Sequence, residues 1–173
     1  MSTRPQVLVF TDWDETITAH DTLCLIAPPV SDEPNAPPPF SFFSEYYSHL
    51  KTEHDNAFGP RETLDRELQY LASLGPIEKA TIAKVERSGL FRGIKEYDLC
   101  ERAKQVKFRD GWTEFTEQVE KKEHVRLMSV LSISWSRSFI RHALRRIHDD
   151  EFLDRIEIRA NVSSSIDRLM SGS

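Results

Sequence analysis

The chain has 173 residues, 39% hydrophobic and 29% charged, which is ordinary for a globular protein and excludes disorder throughout. That length holds one modest domain or a core with an inserted subdomain. A net charge of -5 argues against broad nucleic-acid binding, since a phosphate backbone rewards a basic face, but it leaves room for a small phosphorylated substrate that needs only local positive charge.

The first five residues lack the apolar stretch of a signal peptide, and no apolar run is long enough to span a bilayer. A cytoplasmic location with no membrane partner is therefore expected. Cys24 and Cys100 show no CxxC spacing and no histidine at ligand spacing, so free thiols are expected rather than a zinc site.

In chain order, residues 7–10 (Val-Leu-Val-Phe) form a continuous run of β-formers, the pattern of a parallel strand covered on both faces. Polar residues begin abruptly at Thr11. Residues 28–39 hold six prolines and read as a surface loop. From Phe40 to about Lys104 the apolar spacing is helical. Phe42, Phe43, Tyr46, Tyr47 and Leu50 share one stripe; Leu64, Leu68 and Leu71 share another, with Tyr70 and Leu74 alongside. Gly59-Pro60 and Gly75-Pro76 interrupt these helices, and a further one ends near Ser88-Gly89.

Residues 108–111 read as a turn, and Trp112, Phe115 and Val119 predict a helix after it. Residues 124–134 predict a second core strand. Residues 137–147 predict a helix, capped by Ser134 or Ser136. Residues 155–160 alternate strictly and predict a short third strand nearer an edge. Strands separated by helices imply an α/β parallel sheet.

Asp12 and Asp14 stand one residue apart where the first strand ends. In an extended chain both would point the same way, into the crevice at the carboxyl ends of the strands. Two carboxylates there suit magnesium, which prefers oxygen ligands and keeps several waters. The metal would draw in a phosphate that the carboxylates alone repel. One carboxylate could then attack phosphorus, while the other, with a raised pKa, moves a proton. A solvated strand-to-loop turn is the plainer explanation of the same residues.

The run Asp12-Trp13-Asp14-Glu15-Thr16, followed by Ile17-Thr18 and Asp21-Thr22, resembles the first motif of the haloacid dehalogenase (HAD) superfamily, in particular its phosphoserine-phosphatase-like branch and similar fungal proteins. The resemblance implies a Rossmann-like core, residues 1–19 and 105–173, with an inserted helical cap at 20–104. It implies Asp12 as nucleophile, Asp14 as general acid/base, and both as magnesium ligands. Thr16 matches the motif's hydroxyl position, and Glu15 stands where glycine is more usual. Ser132, with Ser134 as the alternative, matches the phosphate-binding serine after the second strand. Phe108-Arg109-Asp110-Gly111 is similar to that branch's turn.

The family's lysine and Gly-Asp motif have no counterpart in residues 161–173, where Asp167 is the only carboxylate. A truncated sheet follows as an expectation, with the first strand left as an exposed apolar edge. The implied function is a magnesium-dependent phosphomonoester hydrolase working through an aspartyl-phosphate on a small phosphorylated substrate, with little turnover by this chain. The alternative is a non-catalytic remnant binding a partner or a phosphorylated ligand. Arg137, Arg141 and Arg145 form a stripe that reads as a solvated helix face rather than a phosphate rim.

Overall fold

A computed structural model describes residues 7–122, 124–133 and 136–160. Their order is β1 (Val7–Asp12), α1 (Leu23–Ile26), α2 (Phe40–Phe58), α3 (Leu64–Ser73), α4 (Gly75–Ser88), α5 (Glu96–Ala103), α6 (Trp112–Glu120), β2 (Val125–Leu131), α7 (Arg137–Leu144), α8 (Asp150–Arg155) and β3 (Glu157–Arg159). The chain divides into two compact units. Ala27–Arg92 is one; the residues up to Ile26 and from Gly93 form the other. The helical unit is thus shorter at both ends than the 20–104 expected, and α1 and α5 belong with the sheet.

The sheet is parallel, in the order β1-β2-β3. The fold class is mixed α/β, with β2 as the central strand. Val130 and Ser129 of β2 are buried. A register shift interrupts the β1–β2 ladder between Val9 and Phe10. Around the sheet, α7 buries Phe139, Ile140, Ala143 and Leu144, and α8 buries Phe152 and Leu153. Both helices start where a side chain takes up a backbone donor. Ser136 accepts from Phe139 N at 3.1 Å and Asp149 from Phe152 N at 2.8 Å. Such caps contribute about 1 kcal/mol each. Ser136 is the cap; Ser134, the other candidate, lies outside the described residues.

Among the described strands β1 is the exposed apolar edge expected of a truncated sheet, not a strand covered on both faces. Its apolar run matches a strand covered on both faces, yet Val7, Leu8 and Phe10 are 48%, 47% and 56% exposed. The reason is position: β1 lies at the sheet's edge. β3 lies at the other edge, as its alternation implies.

In the helical unit, α2, α3 and α4 bury Phe43, Tyr70, Leu74 and Val85. Gly59 and Gly89 end α2 and α4 at positive φ, where a side chain would be strained. Tyr70 is the hub. It donates to Asp55, stacks on His54, and carries the Arg61 guanidinium 3.9 Å above its ring. The leucine stripe of α3 does not join this core. Leu64, Leu68 and Leu71 are more than half exposed, and the inward positions are Tyr70 and Leu74. No helix among the described residues is long and apolar enough to cross a membrane.

Candidate functional site

β1 ends at Asp12, paired with Leu131 of β2. The extended backbone does not continue to Asp14. It bends at Trp13, whose carbonyl accepts from Ile17 N (3.0 Å) and Thr18 N (3.1 Å). The even spacing therefore does not aim both carboxylates along one strand face. Trp13 is fully buried. Its Nε1 donates to Thr22 Oγ1 at 2.9 Å, and its ring meets Phe108 edge-on.

Thr22 links tryptophan to aspartate. Its backbone N and its hydroxyl both donate to Asp14 Oδ1, at 2.8 and 2.7 Å. Burial of the Asp14 carboxyl nevertheless outweighs these bonds and, with the nearby charges of Asp21 and Asp12, pushes its pKa above the ordinary carboxylate value. Asp14 is thus suited to carry a proton. Asp12 is exposed.

The turn after Asp14 holds the one described non-glycine residue at positive φ, Glu15 (φ 57°). Left-handed backbone there is costly for a residue with a Cβ. It is braced from far along the sequence. The Arg109 guanidinium donates to the Glu15 carbonyl at 2.6 Å, Arg109 N to Ile17 O at 2.9 Å, and Ala19 N to Lys107 O at 2.8 Å. Thr18 and Phe108 form an antiparallel bridge, and the buried Thr18 hydroxyl accepts from Glu15 N and donates to His20 O.

A shallow, largely open cleft of about 340 Å³ lies at the carboxyl ends of the strands, lined by Asp12, Leu131, Ser132, Ile133, Arg159 and Ala160. Ser132 N donates to Arg159 O at 2.9 Å, which joins the ends of β2 and β3. Asp12 and Ser132, chosen from sequence, meet in this cleft. Asp14 does not line it, although its charge and that of Asp12 act on each other. Thr16 is exposed in the turn and is likewise not among the lining residues.

Arg159 was missed from sequence. It supplies a cation to the cleft and pairs with Glu157 at 2.9 Å. Its only sequence signal is a basic residue ending a predicted strand. The arginine stripe of α7 is not a phosphate rim: Arg141 pairs with Asp154 (2.6 Å) and Arg145 with Asp150 (3.0 Å), both on α8.

Among the described residues no group of three or more His, Cys, Asp or Glu side chains gathers in a metal-binding arrangement. A cation at this end of the sheet would rest on the exposed Asp12 carboxylate, since Asp14 does not line the cleft and its Oδ1 already accepts twice from Thr22. That fits magnesium, which often takes one or two protein carboxylates and completes its shell with water and ligand oxygens.

No protein-family model matches the chain. A curated relative, the CTO1 family protein C17G9.12c of Schizosaccharomyces pombe, is 31% identical over 157 residues, covering 90% of this chain and 56% of that protein. The chain therefore spans little more than half the length of the relative it matches. These findings overturn the HAD assignment. No HAD family model is matched, and the relative carries a CTO1 name, not that of a phosphatase. The hydrolase function and the HAD-remnant alternative, which rested on that resemblance, fall with it.

Proposed function

We propose that the cleft at the carboxyl end of the sheet is a magnesium-assisted binding site for a small phosphorylated ligand, and that the chain is CTO1-like over the 157 residues it shares with its relative. One observation carries the first part: Asp12, Ser132 and Arg159, a carboxylate, a hydroxyl and a guanidinium, line one cleft. Arg159 and Ser132 supply donors for phosphate oxygens. Asp12 supplies oxygens for magnesium, whose charge offsets the repulsion between carboxylate and phosphate. The raised pKa of Asp14 adds a proton carrier, which supports a site of enzymatic, acid–base kind.

The three parallel strands support a Rossmann-like reading of the sheet unit, in which ligands sit at the carboxyl ends of the strands. The net charge of -5 supports a small ligand over a nucleic acid, and the free thiols Cys24 and Cys100 support a reducing, cytoplasmic setting.

The test is thermal unfolding and calorimetric titration with magnesium and inorganic phosphate, alone and together. A ligand held at 100 times its Kd stabilises the fold by about 2.7 kcal/mol. The two together should raise Tm more than either alone, and Asp12→Asn should remove the magnesium-dependent part. Equal shifts in wild type and Asp12→Asn would sink the reading.

A further inference from the structure

The proline-dense loop has no part in the cleft. No helix or strand interrupts residues 27–39, and most of their side chains are exposed, Val30 at 74%. The end of this loop is nonetheless conformationally fixed. Each proline ring holds its own φ near about -65°. A residue that precedes a proline is pushed into the extended or polyproline II region. Ala36, Pro37 and Pro38 all precede prolines, and Pro39 itself has φ -62° and ψ 158°. Residues 36–39 therefore form a turn of polyproline II, whose backbone makes no internal hydrogen bonds.

Both ends of this turn are anchored within the helical unit. Upstream, Ala36 N donates to Glu33 O at 3.0 Å across a tight turn, and Glu33 N donates to Ser31 Oγ at 3.3 Å. Downstream, Phe42 N donates to Pro39 O at 3.1 Å as α2 begins. Pro38 and Pro39 are exposed. Starting a helix needs one proline at most, so the other two are not explained by α2. Along the sequence the segment is acidic, while in space Arg92 lines the same pocket as Pro37, Pro38 and Pro39. Residues 27–50 contain Asp32, Glu33 and Glu45 and no lysine or arginine.

We propose that Pro37, Pro38 and Pro39 form a docking ligand for a proline-recognition domain, one with an aromatic-lined groove and a basic rim. Polyproline II segments bind such grooves by laying alternate rings against aromatic faces. A segment already held in that conformation loses little entropy on binding. Asp32 and Glu33, just upstream, meet the basic rim and set the partner's charge.

The full chain is titrated by calorimetry against purified SH3, WW and EVH1 domains chosen with basic groove rims. At least one class should bind in the micromolar range. Pro38→Ala with Pro39→Ala should weaken that binding by at least about tenfold, a loss of roughly 1.4 kcal/mol. Asp32→Lys with Glu33→Lys should weaken it at low salt, and the difference should shrink as salt rises. Circular dichroism should be unchanged in every variant, since none lies inside a helix or strand. Binding no tighter than about 1 mM in all three classes overturns the proposal. So does binding that the double alanine variant leaves intact, or binding that the lysine variant strengthens.

Discussion

Two irregular segments of this chain are ordered by opposite means. The turn from Trp13 to Thr22 is held by a converging set of hydrogen bonds: Thr22 donates to Asp14, Trp13 to Thr22, Glu15 N to Thr18, and the distant Arg109 to the Glu15 carbonyl. The proline loop has few such bonds near its end and is held by ring geometry. A network that is bonded throughout fixes one geometry, but each member is exposed to the loss of any other. Ring stereochemistry restricts the unfolded chain as much as the folded one, and single losses there are small.

The comparison is broken most sharply at Trp13. Replacing this fully buried ring by alanine should cost about 3–5 kcal/mol in urea unfolding, from the cavity and the lost Thr22 bond. A cost near that of a surface change would show that the turn is not built around it. Next is Thr22→Val, which keeps shape and removes one hydroxyl. It leaves Trp13 Nε1 and part of Asp14 without partners, at about 1–3 kcal/mol. It should also raise the Asp14 pKa further, because the hydroxyl's bond lowers it, and a carbon-detected carboxyl titration would read this.

Asp14→Asn sharpens the contrast. A carboxyl whose folded pKa lies above its unfolded value of 3.8 binds its proton more tightly when folded. Stability should fall as pH rises from 3.8 through the folded pKa, and the deficit persists at neutral pH. Asparagine can still accept from Thr22 without carrying that charge. The variant should melt higher than wild type at pH 7 and converge with it in acid. The smallest effect belongs to the loop. Pro38→Ala should cost about 0.4–1 kcal/mol, acting through the freer unfolded chain.

The sequence made the order of strands and helices readable because its periodicities are clean where burial is one-sided. Residues 124–134 and 137–147 became β2 and α7, and Ser136, one of the two serines considered, caps the helix. α1 and α8, at four and six residues, are too short to show a period. Leu64, Leu68 and Leu71 have the right spacing for a buried face, but periodicity reports which residues share a side and not which side the core takes.

The site was half legible. Asp12 stands out because ligands gather at carboxyl strand ends, and Ser132 because it resembles the HAD serine; the structure places both beside one cleft. Asp14 was noted, yet its orientation was read from a strand that has already bent at Trp13. Arg159 was invisible, since nothing local separates an arginine beside a cleft from one in solvent. The family assignment failed for a related reason. Carboxylates and threonines after a strand also satisfy a tight turn, and here three of them have such work: Asp14 binds Thr22, and Thr18 and Thr22 are buried in the turn's own bonds.

The parallel pairing of β1 with β2 has a consequence during synthesis. Between Asp12 and Val125 the ribosome adds about 110 residues. At roughly 5–20 residues per second, β1 waits about 5–20 s before its sheet partner is made. During that interval Val7, Leu8, Val9 and Phe10 form an uncharged strand without β2 to pair with. The helices of Ala27–Arg92, built from local contacts, can form meanwhile. The nascent chain is therefore most open to capture by a chaperone, or by another nascent copy, at its first strand.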